Sequence, residues 1–133
     1  MAARIFLGLN ALVFIGYGLV CLASPSIVAE QTGMVLSTGV ASAEVRAMYG
    51  GLQTAVGLLA LLGFLRPAMR ATILLVLAVL FFGLASGRAV GILVETDPGA
   101  YNVMAVIFEA AFGGLALGLL SRAAQEPGAP AVA

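Results

Sequence analysis

Glu109 is the residue of this chain whose chemistry and position most need a reason. It lies near the middle of an apolar run from Tyr101 to Leu120, where Asn102 is the other strongly polar side chain. Placing a carboxylate that deep in hydrocarbon costs about 2.5–3.5 kcal/mol on insertion scales, so such groups are rarely left facing lipid. Glu109 must be uncharged or paired inside a helix bundle, and either case marks a buried polar site. Arg88 is a cation in apolar surroundings that could pair with it, and Arg46 and Arg88 could hold a carbonyl or anionic group. Tyr49 and Gln53 follow Arg46 at helical spacing and share its face. Asn10, Phe14, Tyr17 and Cys21 share a face of the first apolar run. Glu109 is the candidate acid or base; Arg46, Tyr49, Gln53, Arg88, Tyr17 and Asn102 are candidate ligand-binding residues.

The elements that hold these groups are set by composition. Of 133 residues 62% are hydrophobic and only 9% are charged, against about 25% charged in a soluble domain. The acidic and basic residues number six each and the net charge is zero, which argues against a nucleic-acid partner. The chain has no His and one Cys, so no zinc or haem site is expected from its own side chains, and no cofactor is implied. Cys21 is expected to pack as a small hydrophobe.

Apolar runs occupy Ile5–Ala23, Ala47–Leu65, Ala71–Val94 and Val103–Leu120. Crossing a ~30 Å hydrocarbon core takes about 20 helical residues, and there is no two-residue alternation to suggest a barrel. The fold class expected is an all-α membrane protein, a bundle of four transmembrane helices over residues 1–122. A signal peptide is the competing reading of the first run, but the run exceeds a usual h-region. Residues 123–133, rich in Ala and Pro, are expected to form a disordered tail. Between the first two runs, Ser24-Pro25 reads as a helix start and Gly33 as a stop, around a short interfacial helix. Ser42 is the expected N-cap of the second span, with Glu44 in its first turn.

Arginines set the orientation. Arg4, Arg66, Arg70 and Arg122 fall at one set of span ends, while Glu30, Glu95 and Asp97 fall in the other two links. The positive-inside rule then makes both termini cytoplasmic. On that topology Glu109 lies ~12 Å and Arg88 ~9 Å below the outer boundary at 1.5 Å per residue. Their helices are consecutive and antiparallel, so an Arg88–Glu109 pair is expected, as a structural clamp or as part of a ligand site. Arg46 and Arg88 can also snorkel to the interface, and Tyr17 and Tyr49 can serve as packing aromatics with one hydrogen bond each. Small residues recur every fourth position at Ala47/Gly51/Ala55, Gly83/Gly87/Gly91 and Ala110/Gly114/Gly118. They are expected to pack helices within the protein, with contact between protomers as the alternative.

The stretch from Glu44 to Gln53, with its Glu-x-Arg-x-x-Tyr-Gly-Gly core, resembles the signature of a family of small bacterial inner-membrane proteins catalogued as a domain of unknown function. Asn10-Ala11-Leu12, Tyr17-Gly18, Gly87-Arg88 and Glu109 are similar to further parts of its pattern, and the chain is distantly similar to the DoxX-like group. The resemblance implies four helices and location in a bacterial inner membrane, and no activity. Three functions are open. The first is a polar pocket in the outer half of the bundle that binds or processes a small lipophilic molecule (quinone, isoprenoid or lipid). The second is an accessory subunit of a larger membrane complex, and the third a proton-coupled transporter or channel working as a homo-oligomer. The expected partners are membrane lipids, with a homo-oligomer or larger complex in the last two cases.

Overall fold

The computed structural model describes residues 1–95 and 99–125, with side chains as far as Arg122. Among the described residues the fold is all-α, with no strand. Among the described residues four segments are long and apolar enough to cross a membrane: Ala2–Ala23, Gly39–Leu65, Pro67–Val94 and Gly99–Arg122. That is the composition of a multi-pass membrane protein. Asp97 and residues 126–133 of the expected tail lie outside the described residues, and the last helix is described to Gln125.

Helix α1 (Ala2–Ala23) stops where the sequence reads Ser24-Pro25, because a residue before proline is pushed out of the helical region. The short helix α2 (Ser26–Thr32) comes next, and Gly33 ends it with φ 73°, its N–H donating to the Ala29 carbonyl. Only glycine adopts that left-handed turn without penalty. The second span begins earlier than expected. Helix α3 (Gly39–Val45) is capped by Thr38, whose side chain accepts from the Ala41 N–H, so Ser42 is not the N-cap. Threonine in an extended conformation satisfies an orphan amide a full turn upstream, and this leaves Glu44 beyond the first turn.

From α3 the chain continues through a π-helical turn, Arg46–Gly51, into α4 (Leu52–Leu65). The Leu52 N–H reaches the Ala47 carbonyl, an i→i−5 bond, and the Thr54 hydroxyl donates to the Gly50 carbonyl at 2.8 Å. Such a turn inserts an extra residue in a helix and rotates the segment on one side of it relative to the segment on the other. Arg66 is extended before Pro67, which opens the turn Pro67–Met69 leading to α5 (Arg70–Val94). Helix α6 (Gly99–Gln125) closes the described chain.

The chain divides into two compact units, Arg4–Leu65 and Arg66–Ala133 together with Met1–Ala3. In the first, α1 lies against the second span with almost no room between backbones. A Cβ on Gly18 would fall 2.6 Å from the Thr54 nitrogen, and one on Gly57 would fall 2.6 Å from the Ile15 nitrogen. Cys21, Val28 and Val45 form a buried cluster, with Tyr17, Leu36 and Tyr49 packed on it, and this cluster seats α2. Cys21 is thus a packing residue, as its setting in the sequence suggests. In the second unit, the buried positions of α5 are Ile73, Leu74, Leu77, Ala78, Phe81 and Ala85. Those of α6 include Glu109, Gly113 and Ala116. Phe82 lies over Gly113, 3.0 Å from where a Cβ would be. The repeating glycines of α5 and α6 are not packing positions among the described residues. A Cβ on Gly83, Gly87, Gly91, Gly114 or Gly118 would meet nothing within 4 Å.

Candidate functional site

Arg88 sits late in α5, two helical turns after Phe81 and one after Ala85, on the same face as both. Glu109 sits on α6 at the head of a stripe continued by Gly113 and Ala116, where spacings of four and three keep one face. The two helices are consecutive, so this face of each is brought to the other and the charges meet. The Arg88 Nε donates to Glu109 Oε1 at 2.8 Å. The same guanidinium donates through Nη1 to Asn102 Oδ1 at 3.2 Å, and the Tyr101 ring lies 5.6 Å from its Cζ. Arg88 is therefore held by a carboxylate, an amide and an aromatic face, all supplied by α6. The planar guanidinium suits such fixing because its donors point in set directions.

Exposure divides the roles. The Glu109 side chain is 8% exposed and that of Arg88 25%. Oε2 of Glu109 is buried and has no hydrogen-bond partner among the described residues. Leaving a buried acceptor of this kind unmade typically costs about 1–3 kcal/mol, so it is held by the surrounding packing and not by its own bonding. Near Glu109, Phe108 and Phe112 stack at 4.1 Å, and Phe81 meets Phe112 at 5.6 Å. The three rings form an aromatic layer across α5 and α6.

Of the residues singled out in the sequence, the structure brings Arg88, Asn102 and Glu109 together in one unit. Arg46, Tyr49, Gln53 and Tyr17 belong to the other. There Arg46 is exposed and donates through Nε to the Leu22 carbonyl at 2.9 Å. That carbonyl is one of the last of α1, and a cation at a helix C-terminus satisfies an orphan acceptor and the dipole together. Tyr17 and Tyr49 pack on the Cys21 cluster, and Gln53 is half-buried on α4. Asn10, deep in α1, is buried, and its amide donates back to the Phe6 carbonyl at 2.8 Å.

Two contributors were not singled out in the sequence. Tyr101 reads there as the edge of an apolar run, yet it precedes Asn102 and stacks on Arg88. The Phe81/Phe108/Phe112 layer stands in the sequence as rings next to the charged positions or one or two turns from them. It was hidden because phenylalanine is the ordinary filling of any apolar span. Among the described residues, no group of His, Cys, Asp or Glu has the arrangement of a metal site.

The family described as a domain of unknown function, DUF4345, matches residues 2–120. No curated protein and no solved structure matches the chain.

Proposed function

Since the chain belongs to the DUF4345 family, whose description assigns no activity, we propose a function from its own site: Arg88 binds the polar group of a small lipophilic molecule within the membrane. One observation carries this reading. The guanidinium is fixed by Glu109 and Asn102 yet is the more exposed member of the pair, so it is the part of the site that a ligand would meet. A carbonyl, ester or other acceptor on a quinone, isoprenoid or lipid would take its donors. Glu109, behind it, neutralises the charge and sets its direction, and Tyr101 offers a ring to the same ligand. Glu109 is the acid or base of the site if a reaction takes place there.

The same reading places the protein in a bacterial inner membrane with both termini cytoplasmic. The support is the placement of Arg4, Arg66, Arg70 and Arg122 at one set of span ends and of Glu30 and Glu95 in the other links. With Cys21 replaced by Ala, an Ala68→Cys variant should resist an impermeant thiol reagent added to intact cells. Modification from outside would reverse the orientation. For the ligand, wild type and the Arg88→Met/Glu109→Leu double variant are purified in mild detergent and their bound lipids extracted for mass spectrometry. A lipophilic species retained by wild type and lost from the double variant is the expected result. Equal lipid content in both would reject the site.

A second reading has an observation of its own. The small-residue stripes at Gly83/Gly87/Gly91 and Ala110/Gly114/Gly118 have open space above their glycines, as helix faces that dock a partner helix in a membrane have. On that reading the chain is an accessory subunit, and a protein that co-purifies with wild type and is lost from Gly87→Leu is the expected sign.

A further inference from the structure

Helices α1 and α4 also enclose an apolar groove of about 390 Å³, lined by Gly8, Ala11, Leu12, Ile15, Gly16, Leu61 and Phe64. Its shape comes from the sequence. Gly8, Leu12, Ile15 and Gly16 recur at helical spacing, and the missing side chain of Gly16 leaves open space where a Cβ would meet nothing within 4 Å. At one end the Ile15–Gly57 contact closes the space between the helices. At the other, Phe64 packs within 3.1 Å of where a Gly8 Cβ would be. Arg4 lies over that ring, its Cζ 4.7 Å from the centroid.

Arg4 is one turn before Gly8 on the same face, exposed, and held in place by the Phe64 ring. A guanidinium on an aromatic face gains about 0.5–1 kcal/mol at an exposed site, which is enough to favour one direction for the side chain. The result is a fixed cation beside the Phe64 end of an open apolar groove. From Arg4 to Gly16 the helix rises ~18 Å at 1.5 Å per residue. That is close to half of a ~30 Å hydrocarbon core, the depth filled by the chains of one leaflet.

We propose that this groove is a binding site for an anionic phospholipid, with its phosphate on Arg4 and one acyl chain lying along the open groove beside α1 and α4. The groove shares no residue with the Arg88 site and does not depend on the function proposed there. Charge chooses the lipid class, because a neutral zwitterionic lipid offers Arg4 a phosphate already compensated by its own cation. The groove chooses the location, because the lining between Gly8 and Gly16 is apolar throughout.

The experiment uses the full chain reconstituted in bilayers with trace spin-labelled phosphatidylglycerol or phosphatidylcholine, reading the motionally restricted fraction of each by electron paramagnetic resonance. Wild type should prefer phosphatidylglycerol. Arg4→Gln should lower that preference roughly fivefold, the factor that corresponds to about 1 kcal/mol for a basic residue at an anionic surface. Arg122→Gln changes the overall charge equally and should lower it much less. Gly16→Leu adds a side chain where nothing lies within 4 Å, so it should fold normally and reduce the restricted fraction of both lipids. An Arg4→Gln ratio no different from that of Arg122→Gln would overturn the phosphate contact. An unchanged restricted fraction in folded Gly16→Leu would overturn the place of the acyl chain.

Discussion

The two units are built from nearly the same residue types and use them in opposite ways. Between α1 and the second span, glycine provides the contact: Gly18, Gly50 and Gly57 let main chain touch main chain or side chain at distances no Cβ would allow. Between α5 and α6, rings and a charge pair provide it, and most glycines stand open. Arginine divides the same way. Arg46 is exposed and ends a helix by binding the Leu22 carbonyl, whereas Arg88 is half-buried and paired with Glu109. A stripe of small residues, then, shows only that close packing is possible. Whether a backbone is actually there depends on how each helix is turned about its axis.

The sharpest way to break this contrast is at the ion pair. Removing one partner of a buried pair typically costs about 3–5 kcal/mol, whereas replacing both with apolar residues can be near neutral. The quarter exposure of Arg88 puts the expected loss toward the lower end. Glu109→Gln and Arg88→Met should each lower unfolding free energy in mixed micelles, and Arg88→Met with Glu109→Leu should recover much of it. Single variants that unfold like wild type would show that the pair carries no stability.

The glycine side of the contrast comes next. Gly18→Ala forces a methyl against the Thr54 backbone, and overpacking of this kind costs about 1–3 kcal/mol. Gly114→Ala, in open space within a helix, should instead be neutral or stabilise by about 0.4–1 kcal/mol. Measured side by side in the same micelles, equal losses at the two positions would erase the difference between the units. A large loss at Gly114 alone would mean that its open face is covered by a partner.

A smaller effect is expected at Arg46. Its bond to the Leu22 carbonyl is solvent-exposed, and favourable charges at helix ends contribute about 0.3–1 kcal/mol. Arg46→Gln should therefore cost less than Gly18→Ala and should loosen the end of α1. Hydrogen exchange at Ala23 and Ser24 would report this. Exchange unchanged at those amides would assign Arg46 to something other than the helix end.

The spans, their number and three of their C-terminal ends were legible in the sequence, because apolar length, a Pro just past Ala23 and Leu65, and the acidic Glu95 after Val94 act locally. The Arg88–Glu109 pair was legible too, for a related reason. Consecutive antiparallel helices joined by a short link have matched depths, and a rise of 1.5 Å per residue is enough to bring two charges level. Asn102 came with the pair because it lies on the same helix, about two turns from Glu109.

The rest was decided by rotation and by the helix ends. Ser42 and Thr38 are both good caps, and which one serves depends on where the chain leaving α2 turns into the second span. The π turn at Arg46–Gly51 adds an i→i−5 bond that no residue pattern announces, and it changes the facing of everything around it. With it, Gly50 and Gly57 rather than Gly51 come to lie against α1, and Arg46 reaches the end of that helix. Hydropathy depends on position along the chain, so it can be read residue by residue. The contacts of a glycine or an arginine depend on the azimuth of a neighbouring helix, and only the folded structure contains that.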